Sequence, residues 1–170
     1  MTEKQPYEVT KAFKEFELRH YPAGMQIETI VQGDFMTAGN RGFRPLVSFI
    51  SGNNVKNQSI AMTAPVIQQP SNGSGHSVRF VLPTSMDAKS APDATDSKVK
   101  VIEVPAHNAA ARRFSGSWNE ERFESEGKAL LEAVAAEGLA SKGSLYFSRF
   151  DPPWKPGFLK RNEVLIQVTN

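Results

Sequence analysis

The stretch "YPAGMQIETIVQGDF" occupies residues 21–35, and "VPAHNAAARRFSGSW" occupies residues 104–118. Laid over one another at an offset of 83 residues, Pro22 and Ala23 fall on Pro105 and Ala106. Gly33 falls on Gly116, and Phe35 on Trp118. The identities are sparse, but the elements around them agree, and a repeat of this length decides how the chain is organised. In the first copy, residues 16–21 and 25–31 read as strands, 41–51 as a helix, and 60–68 and 78–82 as strands. In the second, 99–104 and 109–115 read as strands, 118–137 as a helix, and 145–150 and 163–168 as strands. Each half, about 7–83 and 99–170, therefore reads strand, strand, helix, strand, strand within a single domain spanning 1–170.

Local chemistry supports these elements. Ser117 and Glu120 form an S-x-x-E capping box. Phe123, Leu130, Leu131 and Val134 then share one helical face, and Gly138 suits the position just past the end. In the first helix Pro45 belongs in the first turn. The apolar face is then Phe43, Leu46, Val47 and Ile50, closed by Gly52. Val78, Phe80 and Leu82 alternate as a half-buried strand does. In "EFELRHYP" (residues 15–22), Phe16, Leu18 and His20 point one way and Glu17, Arg19 and Tyr21 the other. Residues 70–77 read as a loop, and 84–98 as a polar, mobile connector between the halves. Eight strands and two helices in this arrangement predict a two-layer α+β fold with a curved or barrel-like, largely antiparallel sheet.

Composition narrows the function. With 20 basic against 18 acidic side chains the chain lacks the excess positive charge of a nucleic-acid binder. It has no cysteine, which removes disulfides, zinc thiolates, iron–sulfur clusters and thiol nucleophiles. No segment is apolar enough for a signal peptide or a membrane span, so a cytoplasmic location is expected, with no membrane insertion. No dinucleotide, P-loop, serine-hydrolase or zinc-protease pattern occurs. His20, His76 and His107 are far apart, His76 in the polar loop and His107 at a turn. Glu120 and Glu121 read as favourable charge at a helix start. No nucleophile–base pair is visible, so binding is expected rather than catalysis.

Four stretches, "FELRHYPAG", "FRPLVSFISGNN", "IAMTAPV" and "RFDPPWKPGFLKRNEVLIQV", occur in this order between residues 16 and 168, within a resemblance that runs from about residue 7 to 168. Together they resemble the SOUL/haem-binding-protein family. The resemblance implies a distorted eight-stranded antiparallel β-barrel with two helices, built from two related halves. It implies reversible binding of haem or another tetrapyrrole, as carrier, buffer or sensor. The site would be an apolar surface groove beside the first helix and the loop before the last strand. It also implies that His20, in the "RHY" motif, is a candidate axial ligand of haem iron, and that Lys155 lies near the propionates.

A tetrapyrrole is a flat apolar disc with carboxylates on one edge. Binding it takes an apolar slot, cations at the mouth and, for iron, an axial ligand such as imidazole. Phe43 and Val47 offer an apolar wall on the first helix, while Ile50 is assigned to the core. Arg41 and Arg44 offer cations at the helix start. Pro152, Pro153 and Pro156 stiffen the loop that carries Trp154, Lys155 and Phe158. Trp154 either stacks on the porphyrin or covers the end of the barrel. Met62 and Val66 read as strand core, and Arg161 and Asn162 as residues that serve the fold. An effector-binding module for another amphipathic molecule, acting through a separate protein partner, is the alternative. No spare apolar interface is evident, so a monomer is expected.

Overall fold

The computed structural model describes residues 2–152 and 154–169. The stiffening assigned to Pro153 lies outside the described residues. The chain divides into two compact units, and the division does not follow the sequence halves. One unit contains the chain up to Gln5 and Ala23–Pro105. The other contains Pro6–Pro22 and the chain from Ala106 onward.

In the first unit, strands β4 (Gly24–Gln32), β6 (Val66–Pro70), β7 (Gly75–Val81) and β8 (Lys100–Val104) form an antiparallel sheet in the order β6-β7-β4-β8. Two short strands, β1 (Glu3–Lys4) and β5 (Thr63–Ala64), pair in parallel. Helix α1 (Phe35–Ile50) packs on β4 and β7.

In the second unit, β2 (Glu8–Ala12), β3 (Glu17–Tyr21), β9 (His107–Phe114), β10 (Ala140–Arg149) and β11 (Asn162–Thr169) run in the order β2-β3-β9-β11-β10. Every neighbouring pair is antiparallel. Helix α2 (Glu120–Ala136) covers β9, β10 and β11.

The pairing shows how the repeat is used. The first strand of each copy pairs with the second strand of the other copy. Tyr21 on β3 lies opposite His107 on β9, and Val104 on β8 lies opposite Gly24 on β4. Both members of the second pair sit at the 83-residue offset from those of the first.

Several expectations need correction. The described residues contain eleven strand segments rather than eight. β2 gave no sequence signal because all five of its residues are exposed, so it has no buried side to produce alternation. α1 begins at Phe35, not Arg41. Asp34 caps it by accepting from the Thr37 N–H at 2.8 Å, and Pro45 lies well inside the helix. The buried face of its first half is Phe35, Ala38, Gly39 and Gly42, of which only Phe35 carries a strong hydrophobic signal. A Cβ on Gly42 would lie 2.7 Å from a Val78 methyl, so the helix rests almost directly on β7.

α2 starts at Glu120, with Asn119 rather than Ser117 as its cap; the Asn119 side chain accepts from the Arg122 N–H at 2.7 Å. Phe123, Leu130 and Val134 are buried as expected, but Leu131 is exposed. Gly138 has φ +72°, as a residue closing a helix should. The turn after β6 is shorter than expected, and His76 lies within β7. His107 opens β9. Met62 is exposed, whereas Val66 is buried.

The 84–98 connector packs against its own unit. Ala91 is buried, and Lys56 donates to the Ser90 carbonyl at 3.1 Å. The Thr95 hydroxyl bonds to Asn53 at 2.8 Å. Asn54 of the "ISGNN" motif organises the same region. It is 2% exposed, donates to the Phe49 and Gln58 carbonyls, and accepts from the Lys56 and Gln58 N–H groups. One buried amide thus satisfies the end of α1 and the loop that follows it.

Candidate functional site

On β3 the deeply buried side chains are Arg19 and Tyr21, with Phe16 just before the strand. Arg19 and Tyr21 belong to the face opposite Leu18 and His20. They are accommodated because Glu163 on β11, 1% exposed, accepts two parallel bonds from Arg19, both 2.8 Å. Arg19 also donates to Glu17 at 2.9 Å and to the Tyr21 hydroxyl at 3.0 Å. Arg161 donates to Glu163 at 3.0 Å and to the Tyr7 hydroxyl at 2.9 Å. The Tyr7 ring lies 4.0 Å from the Arg19 guanidinium.

Burial alone would raise the Glu163 carboxyl, but the hydrogen bonds and charge of Arg19, then Arg161, reverse this and hold it below its usual range. Burial pushes the Tyr21 phenol up to about 12. The "RHY" and "RNEV" motifs thus meet in a bonded network that ties β3 to β11 across the intervening β9. Arg161 and Asn162 serve the fold as expected; Asn162 donates to the Gly116 carbonyl at 2.9 Å.

His20 points to the other side of β3. Its Nδ1 lies 2.9 Å from Asn108 Oδ1, directly across the strand pair. In the tautomer whose Nδ1–H donates to that oxygen, Nε2 is the nitrogen left to face a ligand, the arrangement in which imidazole ligates a metal. Asn108 in turn lies opposite Val168, near the end of β11.

Trp154, Lys155 and Phe158 lie on the loop that enters β11 at its other end, and a 3-10 turn, Gly157–Leu159, closes that loop. His20 and the start of β11 are six register positions apart, which at about 3.3 Å per residue is about 20 Å. The structure therefore sets His20 and the base of this loop at opposite ends of the sheet.

The loop presents Trp154 at 82%, Phe158 at 78% and Leu159 at 55% exposure, an unusual concentration of apolar surface. Asp151 clamps its base, pairing with Lys155 Nζ at 2.8 Å and accepting from the Arg161 N–H. The 3-10 turn is pinned to the β9–α2 turn by the Gly116 N–H, which donates to the Gly157 carbonyl at 2.9 Å. Gly116 has φ +117°, and a Cβ on Gly157 would press on Ser117 at 3.3 Å, so each glycine permits this close approach.

Beside this clasp lies a groove of about 600 Å³. Its apolar lining is Phe114, Phe158 and Leu159. Its charged lining is Arg112, Arg113, Arg122 and Lys160 against Glu126. Both Glu126 oxygens are engaged, one by Arg112 at 2.7 Å and one by Arg122 at 3.2 Å. Bonds to Glu126 and Glu15 hold the Arg112 guanidinium above its ordinary pKa. Of the groove's residues only Phe158 was singled out from sequence. The visible signals were the "RRF" run and the lysine after "GFL", which arrive from separate segments.

In the first unit, Arg41 and Arg44 are exposed on α1. Phe43 is 38% exposed and meets Phe80 edge-on at 5.2 Å, and Val47 is half-buried against the core. Phe43 and Val47 are four residues apart and lie on one side of the helix. Among the described residues, no three His, Asp or Glu side chains converge on a metal-sized site.

Two β-β-α-β-β repeats that exchange their first strands make an α+β fold, and an exposed aromatic loop lies beside a cationic groove in the second unit. Comparison with known proteins gives the lineage. The chain belongs to the SOUL heme-binding protein family, whose profile matches residues 2–167. Heme-binding protein 1 of Xenopus laevis is 28% identical over 162 residues, 91% of this chain and 84% of that protein. Heme-binding protein 2 of Homo sapiens is 27% identical over 154 residues, 86% of this chain and 74% of that protein. A crystal structure of an uncharacterized conserved protein from Listeria innocua shares the fold. It has a TM-score of 0.69 at 12% identity, covering 92% of this chain and 93% of that one.

Proposed function

We propose that this protein binds haem or another tetrapyrrole reversibly, as carrier, buffer or sensor. Family membership across nearly the whole chain is the observation that carries this reading. The exposed aromatic loop gives it a physical basis. Covering one tetrapyrrole face with Trp154 and Phe158 removes apolar surface from water at about 25 cal/mol per Å². Because Asp151 and the Gly116–Gly157 contact already hold the loop, less ordering entropy opposes binding. Lys155 supplies a cation beside the aromatic pair. Phe43 and Val47, with Arg41 and Arg44, are the proposed contacts on α1. The proposal keeps the barrel expected from the family as scaffold, and a cytoplasmic monomer as its working form.

Haem would bring an iron that accepts an axial nitrogen. His20 Nε2 fits that role chemically, because Asn108 orients the ring. At about 20 Å from the loop end of β11, His20 is too far to hold the iron of a disc that Trp154 covers, so His20 ligation would be a separate placement of the ligand, and affinity that depends on Trp154 is expected to survive loss of His20.

The test is a titration with hemin and with iron-free protoporphyrin IX, followed by the Soret band, on wild type, Trp154→Ala and His20→Ala. The proposal expects saturation by both ligands and at least a tenfold loss in Trp154→Ala. A changed hemin spectrum in His20→Ala assigns the axial role, and an unchanged one removes it. No spectral shift with either ligand on wild type overturns the proposal.

A further inference from the structure

We infer that Arg149, at the end of β10, receives a carboxylate of the ligand through the open edge of a guanidinium seated on Trp118. This rests on the tetrapyrrole reading for the source of the carboxylate, and deepens it by naming the group that holds it.

The sheet register fixes the position. Arg149 lies opposite Asn162 on β11, and Asn162 lies opposite Phe114 on β9, so the three side chains form one row across the strands. The row is on the side covered by α2. Phe114 meets Phe123 of α2 at 5.1 Å, and Phe147, two residues before Arg149, meets it at 4.9 Å. The Asn162 amide is satisfied there by the Gly116 carbonyl. Trp118, two residues after Gly116, packs on Phe123 at 3.9 Å and carries the Arg149 guanidinium over its ring at 4.6 Å.

Charge singles this arginine out. Arg19 and Arg161 share Glu163, and Arg112 is held by Glu15 and Glu126. Arg149 is half-buried, yet among the described residues its side chain makes no ion pair and no hydrogen bond. Burial holds the guanidinium below the ordinary arginine value, and no neighbouring acid pushes the other way. A charge withdrawn from water without a partner costs stability, and a fold tolerates such a cost chiefly at functional positions. The stacked geometry leaves the donors usable. The indole covers one flat face, and the N–H groups lie in the plane, where their fork matches the two oxygens of a carboxylate. Location joins this group to the ligand. Asp151, two residues on, opens the loop that presents Trp154 and Phe158, and it already holds Lys155, the cation that sequence alone points to. A disc lying against that loop has Arg149 at the loop's root to take its anionic edge.

The test titrates protoporphyrin IX and its dimethyl ester, which has the same disc without the charges, into wild type, Arg149→Met and Arg149→Lys. Thermal unfolding of each protein without ligand accompanies it. Wild type is expected to bind the acid about tenfold more tightly than the ester, the effect of one charge-assisted bidentate contact. Arg149→Met keeps a flexible apolar chain against Trp118. It is expected to lose the preference for acid, to bind the ester as wild type does, and to unfold at a temperature no lower than wild type, because the unpaired charge is gone. Arg149→Lys keeps the charge without the fork and is expected to recover only part of the preference. Equal wild-type affinity for acid and ester, or an undiminished preference in Arg149→Met, overturns the inference and leaves tetrapyrrole binding intact. So does a lowered unfolding temperature in Arg149→Met, which would make Arg149 a part of the fold. Failure of wild type to bind either compound overturns the tetrapyrrole reading itself, and the inference with it.

Discussion

Replacing Glu163 by Gln tests the account of the second unit. The substitution keeps the side-chain volume but removes the charge. The Arg19 guanidinium, 3% exposed at its side chain, then faces an amide that offers one acceptor where there were two charged ones. Arg161 loses its carboxylate partner as well. Breaking a buried pair from one side costs about 3–5 kcal/mol, which in a chain of this size lowers Tm by about 6–20 °C. Removing both ends, as in Arg19→Met/Glu163→Leu, is expected to restore part of that loss, because the deeply buried guanidinium no longer lacks its carboxylate and only the more exposed Arg161 does. The pH dependence has a defined sign. Glu163 is held below its usual range in the folded protein. Its contribution is therefore present above the unfolded carboxyl value of about 4.3 and is lost as pH falls through the folded value. Glu163→Gln should lack that part of the acid transition. For Tyr21, raised to about 12, the contribution is full below about 10 and fades between the two values. Urea unfolding on the acid side, from pH 7 down to about 2, follows the Glu163 contribution, and a second series from about pH 9 to 12 follows Tyr21. A Glu163→Gln variant within about 1 kcal/mol of wild type would refute the reasoning.

Two further perturbations probe the first unit. Gly42→Ala places a methyl 2.7 Å from the fully buried Val78; the overpacking should cost about 1–3 kcal/mol in urea unfolding, and a neutral result would mean that α1 does not rest on β7 as described. Asn54→Ala removes an amide that makes four bonds to backbone groups; a loss of about 2–4 kcal/mol is expected, with faster hydrogen exchange confined to the end of α1 and the loop after it.

The legible parts of the fold were those with strong periodicity. α2 carries Phe123, Leu130 and Val134 at helical spacing, and β7 alternates, so both were readable. The first half of α1 was not, because after Phe35 it buries Ala38, Gly39 and Gly42, which are small to allow contact with the sheet and leave a single large apolar residue without a helical repeat. β2 has no buried side. The Arg19–Glu163 pair joins residues 144 positions apart, and charged residues on an isolated strand read as solvent-facing. The exchange of first strands leaves no local mark either, since the repeat is the same whichever copy each strand joins. At the site, Trp154 and Phe158 were visible because the prolines and aromatics are contiguous. The groove cations were not, because β9, α2 and the loop before β11 come together only in three dimensions.

The central claim is that a tetrapyrrole sits against the Trp154 loop, and fluorescence quenching tests it most directly. The chain has two tryptophans, Trp118 and the far more exposed Trp154. Trp154→Phe keeps an aromatic ring for stacking and removes that fluorophore. With protoporphyrin IX, the account predicts that wild-type emission is quenched to saturation at about one equivalent. It also predicts that the Trp154→Phe variant binds by absorbance but loses most of the quenching, with affinity of about micromolar or tighter, about −8 kcal/mol. Porphyrin binding that leaves Trp154 emission unchanged, or quenching equal in the two proteins, would contradict it.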